Sequence, residues 1–486
     1  MKSLYIDGSW TEGSGPRLNS TNPANGEVLW RGSEASTADV DGAVNAATKA
    51  FAIWSKTSFE KRLAILEKYC GLIEQDKVPF AELISSETGK PYWECLLEVG
   101  AMIGKLGHSV KSYKERCSDN QFAAGDAQAV LRFRAIGVMV VFGPFNLPAH
   151  LPNGHIVPAL LAGNTVIFKP SEQTPASGQK LVELMAQAGL PQGVLNMVQG
   201  GRATGEALTA HKGINGVLFT GSYRVGKILH QQFAGRPEIM LALEMGGNNP
   251  LVVAEVKDFK AAAYLTIQSA FITTGQRCVC ARRLIVPRGL EGDAFLETLV
   301  EMTGGISYGD PANRPEPFMG PVISAQAGDG VVKAYNNLIA QGATALFELQ
   351  QNDSVKALIS PAIVDVTGLS LPDEEIFGPL LQVIRVKDAE SALVEANNTS
   401  FGLSAGIVTD NKELYLKFLD SSRAGIINWN RQITGAVSSN PFGGSGHSGN
   451  YRPSAYFAAD YCAYPVASIE KDELTLPETF SPGIQK

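Results

Sequence analysis

The feature that most constrains the fold is a regular alternation of short β-rich runs with helical segments, which begins at Ile136. The segments between the runs carry apolar residues at three- and four-residue spacing. Strands that alternate with helices in this way form a parallel, doubly wound sheet with helices on both faces. The predicted strands are Ile136–Phe142, Thr165–Phe168, Val194–Val198, Val217–Phe219 and Ile239–Leu243.

A second alternating stretch runs from Pro250 to Asn430 and predicts another α/β domain. Only the short segment Gly246–Pro250 separates the two stretches, so a ligand-binding cleft is expected beside this junction. About the first 115 residues have helical periodicity instead and are predicted to be largely helical. The strands of the second stretch are expected near Leu251–Val253, Arg283–Val286, Leu380–Val386, Ala405–Val408 and Gly425–Trp429.

Composition argues against several classes of partner. The net charge is −7 without a long run of one sign, so neither a nucleic acid nor an anionic membrane surface is expected. The six cysteines are too thinly spread for a disulfide framework, and neither they nor the six histidines have metal-site spacing, so no metal is expected. The start of the chain lacks the apolar core of a signal peptide, and no apolar stretch reaches membrane-spanning length. We therefore expect a cytoplasmic protein with reduced thiols.

Cys278 is a candidate nucleophile. It follows a helical run, Ala261–Thr273, and precedes the predicted strand Arg283–Val286. A cysteine attacks carbonyl carbon without the help of a metal, because its small thiolate fraction at neutral pH is strongly nucleophilic. A buried structural cysteine is the alternative interpretation.

Two further polar residues lie where parallel strands are expected to end, which is the edge at which open α/β sheets bind ligands. Glu244 follows the run Ile239–Leu243, and burial there would raise its pKa towards neutrality, where a general base works best. Asn146 is held in a loop between Pro144 and Pro148, where its amide could stabilise a developing oxyanion. An ion-paired structural glutamate and an asparagine suited to turn chemistry are the alternatives.

Two segments suit a nucleotide. Phe219–Gly226 is a strand followed by a turn that opens a helix, so its backbone can approach phosphate. Lys169 and Glu172 follow another strand and could hydrogen-bond ribose hydroxyls, and a carboxylate there would repel a 2′-phosphate and favour NAD over NADP. A solvated charge pair is the alternative for these two residues. The G-x-G-x-x-G sequence at Gly444–Gly449 has no predicted strand before it and is not taken as a dinucleotide site.

Seven segments together resemble the aldehyde dehydrogenase superfamily, and the resemblance extends from about Tyr5 to Glu470. They occur in the family's order and are Pro144–Pro148, Lys169–Glu172, Phe219–Ser222, Glu244–Gly247, Gly275–Cys278, Glu374–Pro379 and Asn440–Gly444. The resemblance implies a Rossmann-type NAD-binding domain, an α/β catalytic domain and a small β oligomerisation arm, and hence a homodimer or homotetramer. The implied divisions are residues 1–117 with 137–246, residues 247–446, and residues 118–136 with 447–486, the last including a C-terminal tail.

The resemblance also implies a reaction. Cys278 attacks the aldehyde, Asn146 and the Cys278 backbone N–H hold the oxyanion, hydride passes to NAD, and Glu244 activates the water that hydrolyses the thioester. The implied cofactor-binding residues are Lys169 and Glu172 at the adenosine ribose, Phe219, Gly221, Ser222 and Gly226 in the phosphate segment, and Glu375 and Phe377 at the nicotinamide ribose and ring. Phe145 and Asn248 stand where Trp and Lys are common in the family.

Some segments of the chain also resemble one subgroup of this superfamily more narrowly. This resemblance implies that the substrate is a small-molecule semialdehyde that carries two carboxylates. Such a substrate needs cationic or donor groups, for which Arg431, His155 and Arg452 are the candidates. A surface position is the alternative for each. The segments that resemble this subgroup are His150–Pro158, Glu244–Pro250, Trp429–Ala436 and Asn450–Tyr456.

The sequence is also compatible with other functions. Another aldehyde or semialdehyde dehydrogenase and a CoA-acylating aldehyde dehydrogenase are alternative enzymes, and a non-enzymatic scaffold is the alternative from a different class. Glu244 weighs against CoA acylation, because a water-activating base would divert the thioester.

Overall fold

The structure, a computed structural model, describes residues 2–485. The strands in this part of the chain are β1 (Leu4–Ile6), β2 (Ser9–Thr11), β3 (Arg17–Thr21), β4 (Val28–Ser33), β5 (Asn120–Ala124), β6 (Ala127–Ala135), β7 (Val138–Phe142), β8 (Thr165–Lys169), β9 (Leu195–Met197), β10 (Gly216–Gly221), β11 (Met240–Met245), β12 (Asn249–Val253), β13 (Ala281–Pro287), β14 (Thr344–Phe347), β15 (Ala362–Asp365), β16 (Leu380–Val386), β17 (Phe401–Gly402), β18 (Ser404–Val408), β19 (Ile426–Trp429), β20 (Pro441–Phe442), β21 (Ser445–Gly446), β22 (Ser454–Ala455) and β23 (Ala463–Glu470).

The helices within the same residues are α1 (Thr37–Trp54), α2 (Phe59–Gln75), α3 (Lys77–Thr88), α4 (Tyr92–Arg116), α5 (His150–Ala162), α6 (Pro175–Gln187), α7 (Arg202–Ala210), α8 (Tyr223–Phe233), α9 (Phe259–Ala270), α10 (Leu290–Gly304), α11 (Ala325–Ala340), α12 (Ala389–Ala396), α13 (Lys412–Ser421) and α14 (Ala458–Cys462). A short 3-10 helix, Ile272–Gly275, lies between α9 and β13. None of the described helices is long and apolar enough to cross a lipid bilayer.

The first sheet has seven strands in the order β11-β10-β7-β8-β9-β1-β2. Strands β7 to β11 pair in parallel, whereas β1 pairs antiparallel with both β9 and β2. Strands β7 and β8 are buried along their whole length, as expected where helices cover both faces of a sheet. The predicted doubly wound sheet is confirmed, and its strand limits differ from the predicted ones by at most two residues.

The second sheet also has seven strands, in the order β14-β15-β16-β13-β12-β18-β19, and only β14 pairs antiparallel among these described strands. Three residues, Gly246 to Asn248, connect β11 of the first sheet to β12 of the second. Glu244, near the end of β11, therefore lies close in sequence to the second sheet, whose strand β13 follows Cys278. The α/β fold class is thus confirmed for both alternating stretches.

A separate three-stranded sheet forms an arm in the order β23-β6-β5. Strand β6 is central and pairs with β23 along eight residues, from Ala463 opposite Ala135 to Glu470 opposite Gln128. Strands β5 and β23 lie at the edges and are mostly exposed. These strands lie where the resemblance places the oligomerisation arm.

Several elements differ from the predictions. The first 115 or so residues are not purely helical, because β1 to β4 precede α1. Helix α5 was not predicted, since Pro152 and Pro158 argue against a helix. Pro152 lies in the first turn, where its missing N–H costs little. From Pro152 onwards every residue of α5 except Gly154 is buried, so packing stabilises the helix despite Pro158. Tertiary packing therefore overrides local propensity here.

Candidate active site

The chain turns sharply before it reaches Cys278. The helix predicted over Ala261–Thr273 ends at Ala270, because Thr273 and Thr274 adopt φ angles of 55° and 53°, in the left-handed region. β-branched residues rarely adopt this region, and such strain costs about 1–3 kcal/mol for each residue. Surrounding contacts must therefore hold this turn in place.

Side-chain hydrogen bonds hold the left-handed turn. Thr273 Oγ1 donates to the Glu94 carboxylate at 2.8 Å and accepts from Arg277 Nε at 2.7 Å. Arg277 also pairs with Glu94 at 3.0 Å, and Thr274 Oγ1 donates to the carbonyl oxygen of Gly320 at 2.8 Å. Because α4 supplies Glu94, the first part of the chain fixes the conformation of the segment that leads to the cysteine.

Two buried asparagines fix the backbone around Cys278. Asn249 Nδ2 donates to the carbonyl oxygens of Cys278 and Cys280 at 2.7 and 2.8 Å. Asn146 Nδ2 donates to the carbonyl oxygen of Gln276 at 2.8 Å, which leaves its second N–H for another acceptor. The Cys278 backbone N–H donates to no acceptor within residues 2–485. These two N–H groups are available to bind an oxyanion.

The Cys278 thiol is half-buried and protonated at neutral pH. Burial, followed by the negative charges of Glu375 and Glu244, raises the pKa of Cys278 to about 12, and Arg282 acts in the opposite direction. A cation that binds beside the sulfur would lower this pKa and increase the thiolate fraction. Cys280 is fully buried, with its sulfur packed 3.8 Å from a backbone carbonyl, so it contributes to packing.

Glu244 presents one free carboxylate oxygen. The Ser454 backbone N–H donates to its Oε1 at 3.0 Å, while Oε2 is buried and has no partner among residues 2–485. Burial raises the pKa of Glu244 well above its usual value, and the hydrogen bond from Ser454 opposes the shift. A carboxyl group with a raised pKa and a free oxygen is suited to taking a proton from water near neutral pH.

One cavity of about 320 Å³ is lined by Cys278, Glu244 and Asn146. Residues of α4 and α5 and of the segment 432–438 complete its wall. A volume of this size suits a small-molecule substrate. The structure therefore brings together the three residues that the sequence predicts to be catalytic, around a space that an aldehyde can enter.

Of the three predicted substrate-binding residues, one lines the cavity and two do not. His155 lines the cavity, but its Nδ1 and Nε2 lie 2.9 Å from the Tyr461 hydroxyl and 3.2 Å from Thr220 Oγ1. Burial lowers the pKa of His155 to about 3, so the ring is neutral, and its role at the substrate stays a prediction. Arg431 and Arg452 are exposed and lie outside the cavity wall, so their role stays a prediction.

A second cleft, of about 430 Å³, is lined by Lys169, Glu172 and Phe219. The buried Lys169 ammonium donates to the carbonyl oxygen of Pro170 at 2.9 Å and lies 3.7 Å from the Glu172 carboxylate. Burial lowers the pKa of Lys169, and the charge of Glu172 acts against this shift. The pair places a cation and a carboxylate side by side at the end of β8.

The residues of this cleft fit a dinucleotide. Val225 and Ile228 expose apolar side chains on its wall, which suits a purine base. Lys169 and Glu172 can hydrogen-bond ribose hydroxyls, and the N-terminus of α8 favours the negative charge of a diphosphate. Arg224, at this end of α8, adds a positive charge to the wall.

The glycines before and inside α8 have a packing role. A Cβ at Gly226 would lie 2.3 Å from the sulfur of Met245, and one at Gly221 would lie 2.5 Å from the ring of Phe219. Ser222 begins the helix by accepting a hydrogen bond from the Val225 N–H at 3.4 Å. Gly221, Ser222 and Gly226 are not part of the cleft wall, so their contact with a cofactor stays a prediction.

Glu375 and Phe377 lie beside the cysteine segment. The Glu375 carboxylate pairs with Arg282 at 3.4 Å, and a Cβ at Gly246 would lie 1.8 Å from its Oε2. Burial raises the pKa of Glu375, and Arg282 opposes this shift. The ring of Phe377 packs edge-on against Phe145 at 5.9 Å, so the residue at the position of the common Trp still supplies an aromatic contact.

Several residues that shape the site are not among those predicted from the sequence. Asn249 belongs to the junction and to the segment Glu244–Pro250, and its position just before a predicted buried strand is the signal for a hydrogen-bonding role. Lys105 and Glu98 lie on the buried face of α4 among Val99 and Met102, so polar residues within an apolar helical stripe were the available signal. Asn248 donates to the Asp373 carboxylate at 2.8 Å and anchors the segment before Glu375.

The fold, the cysteine segment and the two adjacent cavities define a class of enzyme. The family model described as "Aldehyde dehydrogenase family" matches residues 10–464 of the chain. The chain belongs to the aldehyde dehydrogenase family.

Within this family, the chain is similar to enzymes that share one name. The N-succinylglutamate 5-semialdehyde dehydrogenase of Ectopseudomonas mendocina is 54% identical over 485 residues, and that of Chromobacterium violaceum is 52% identical over 484 residues; both alignments cover 100% of each chain. A solved NAD-dependent aldehyde dehydrogenase from Sinorhizobium meliloti is 29% identical with a TM-score of 0.92, covering 99% of this chain and 96% of its own. The prediction of an aldehyde dehydrogenase with a nicotinamide dinucleotide cofactor is confirmed.

Proposed function

We propose that this aldehyde dehydrogenase oxidises N-succinylglutamate 5-semialdehyde to N-succinylglutamate with NAD, a step of arginine breakdown by the succinyltransferase route. Two relatives of that name, 54% and 52% identical over the full chain, support the substrate. The observation that carries the reaction type is the single cavity shared by Cys278, Glu244 and Asn146.

The first step forms a carbon–sulfur bond. The Cys278 thiol gives its proton to a solvent water molecule, and the thiolate attacks the aldehyde carbon. The π electrons of the C=O bond move to the oxygen, which gives a thiohemiacetal whose oxygen bears negative charge. The second N–H of Asn146 and the backbone N–H of Cys278 donate to this oxygen, and donors of this kind contribute about 3–4 kcal/mol to catalysis. Asn249 keeps the backbone of Cys278 in place during the attack.

The second step oxidises the carbon. Bound NAD supplies the acceptor for the hydride, which leaves the carbon with its electron pair. The carbonyl re-forms as the oxyanion releases its electrons, so the product on Cys278 is a thioester. Glu244 then takes a proton from water, the resulting hydroxide attacks the thioester carbon, and the carbon–sulfur bond breaks to release a carboxylate and restore Cys278.

The second cleft supports cofactor roles for Lys169, Glu172 and Phe219, which line it, and the family resemblance supports the other assignments. We assign Lys169 and Glu172 to the adenosine ribose, with the Glu172 carboxylate disfavouring a 2′-phosphate and so favouring NAD. Phe219, Gly221, Ser222 and Gly226 would shape the segment that holds the diphosphate, and Glu375 and Phe377 would hold the nicotinamide ribose and ring.

We also propose a domain division and a state of assembly for the chain. The chain divides into an NAD-binding domain (residues 1–117 and 137–246), a catalytic domain (247–446), and an arm with a C-terminal tail (118–136 and 447–486). The exposed arm edges, with Phe122, Tyr464 and Ile469 open to solvent, support a homodimer or homotetramer.

Arg431 and Arg452 approach the substrate carboxylates from the entrance of the aldehyde cavity. Six cysteines without a disulfide in the described chain favour a cytoplasmic location.

One assay tests the proposal. Purified protein is mixed with NAD and N-succinylglutamate 5-semialdehyde, with and without CoA, and NADH formation is followed, with Cys278→Ala as the control. We expect NADH without CoA and none from the variant. A requirement for CoA would replace hydrolysis by acyl transfer to CoA, and the absence of NADH under every condition would contradict the enzyme proposal.

A further inference from the structure

Lys105 is a buried cation that faces the aldehyde cavity. It lies on α4, is 2% exposed, and forms part of the cavity wall. Its side chain passes Gly154 of α5, where a Cβ would lie 3.8 Å from its Cε. Its ammonium donates no hydrogen bond and forms no ion pair with any residue from 2 to 485. A lysine buried without a partner is costly, and such a charge is usually kept where it meets a ligand.

The other cation of the cavity wall, Arg277, is already paired, and so are the carboxylates of α4 in this wall. Arg277 binds Glu94 at 3.0 Å, and Glu98 forms an ion pair with Lys90. Glu98 also accepts the backbone N–H groups of residues 149 and 150, each at 3.0 Å. Among the described residues that line the cavity, Lys105 is therefore the cation without a carboxylate partner, and the protein itself supplies no anion to it.

A second unsatisfied group lies in the same wall. His150 Nδ1 is buried and has no hydrogen-bond partner among residues 2–485. Burial, with a contribution from Lys105, lowers the pKa of His150 to about 4, so its ring is neutral and can donate one N–H. The cavity thus offers a positive charge and a neutral donor, which together suit one carboxylate.

We propose that Lys105 is the residue that binds a carboxylate of the substrate in the aldehyde cavity, with His150 as an accompanying donor. This assignment rests on the proposed function for the identity of the aldehyde. It places recognition of negative charge inside the cavity, whereas Arg431 and Arg452 are exposed outside its wall. Lys105 thereby distinguishes acidic semialdehydes from neutral aldehydes of similar size.

Kinetics of Lys105→Met provide the test. Methionine has a similar length and leaves no charge, and since Lys105 has no partner in the protein, its loss leaves no group unpaired. For N-succinylglutamate 5-semialdehyde we expect KM to rise about ten- to a hundredfold, the range for a lost charge-assisted hydrogen bond, with little change in kcat. For butanal, which has no carboxylate, KM should not rise.

A binding measurement separates recognition from chemistry. Titration calorimetry of N-succinylglutamate into protein without NAD should give a Kd about ten- to a hundredfold weaker for Lys105→Met than for the unsubstituted protein. Lys111→Met is the matched control, because Lys111 lies on the same helix, is exposed, and is 3.9 Å from Glu115 on the surface. It should leave both KM and Kd unchanged. Lys105→Gln serves in the same assays if the methionine variant does not fold.

Two results would overturn the inference, and they differ in meaning. If the unsubstituted protein prefers the succinylated aldehyde and Lys105→Met keeps that preference and the Kd, only the role of Lys105 is wrong. If the unsubstituted protein has no preference for the succinylated aldehyde over butanal, the proposed function fails as well.

Discussion

Replacing Asn249 by alanine should disable the site without touching a reacting atom. The Asn249 side chain donates to the carbonyl oxygens of Cys278 and Cys280 at 2.7 and 2.8 Å, and its Oδ1 accepts the Ser404 N–H at 3.1 Å. Asn249→Ala leaves these three backbone groups without their partner. Each buried orphan costs about 1–3 kcal/mol, so even the lower limit gives about 3 kcal/mol in total.

This loss has two measurable consequences. A change of 1 kcal/mol shifts Tm by about 2–4 °C for a unit of 150–250 residues, so Asn249→Ala should lower Tm by about 6–12 °C. The backbone of Cys278 is also released, and a misplacement of about 1 Å in a catalytic group can reduce the rate about a hundredfold. We expect kcat/KM to fall about ten- to a hundredfold in NADH assays at a temperature well below the lowered Tm.

Asn196→Ala is the matched control. Asn196 is also fully buried, accepts the Asp7 N–H at 3.0 Å and donates to the carbonyl oxygen of Gly193 at 2.8 Å; it lies on β9 of the first sheet and does not line the aldehyde cavity. It should lower Tm while kcat/KM stays unchanged. If Asn249→Ala lowered Tm but kept full kcat/KM, the claim that Asn249 positions the nucleophile would be refuted.

Three further predictions concern Glu172, Cys278 and Gly226. Glu172→Gln should raise kcat/KM with NADP relative to NAD, because the variant removes the charge that disfavours a 2′-phosphate; an unchanged NADP to NAD ratio would argue against this role. In protein without NAD, the rate at which iodoacetamide alkylates Cys278 should rise about tenfold per pH unit from pH 7 to 10, because a pKa of about 12 leaves the thiolate as the minor form. The Cys278→Ala variant corrects for alkylation of the other cysteines. A rate that levels off near pH 8 would contradict the raised pKa. Gly226→Ala should lower the free energy of unfolding by about 1–3 kcal/mol because its Cβ would meet the Met245 sulfur at 2.3 Å, and an unchanged Tm would show that this side chain moves aside freely.

The placement of Cys278, Glu244 and Asn146 around one cavity could be predicted from sequence because each lies in a short motif next to a strand. Glu244 and Asn146 follow buried apolar runs, and the direction of parallel strands places both at one edge of the sheet. The strand limits themselves were predicted to within a few residues for the same reason, since runs buried on both faces stand out from polar helix segments.

Residues whose roles depend on contacts between distant segments could not be predicted. Lys105 and Cys278 are far apart in sequence, and although a lysine in the apolar stripe of α4 indicates an unusual buried charge, it does not indicate which cavity that charge faces. His155 was expected to meet the substrate, but Tyr461 and Thr220, from two other segments, occupy its nitrogens. Local propensity also fails at Thr273, because contacts with Glu94 and Arg277 hold a backbone conformation that threonine alone disfavours.

The central claim is that Cys278 becomes acylated by the aldehyde after hydride loss and that Glu244 is needed only afterwards. Mass spectrometry of Glu244→Gln, mixed with N-succinylglutamate 5-semialdehyde and NAD, tests it most directly. We predict an N-succinylglutamyl group on the peptide that contains Cys278, with one NADH formed for each group and no steady turnover. An NADH burst without an adduct on this cysteine, or an adduct on another cysteine, would contradict the account.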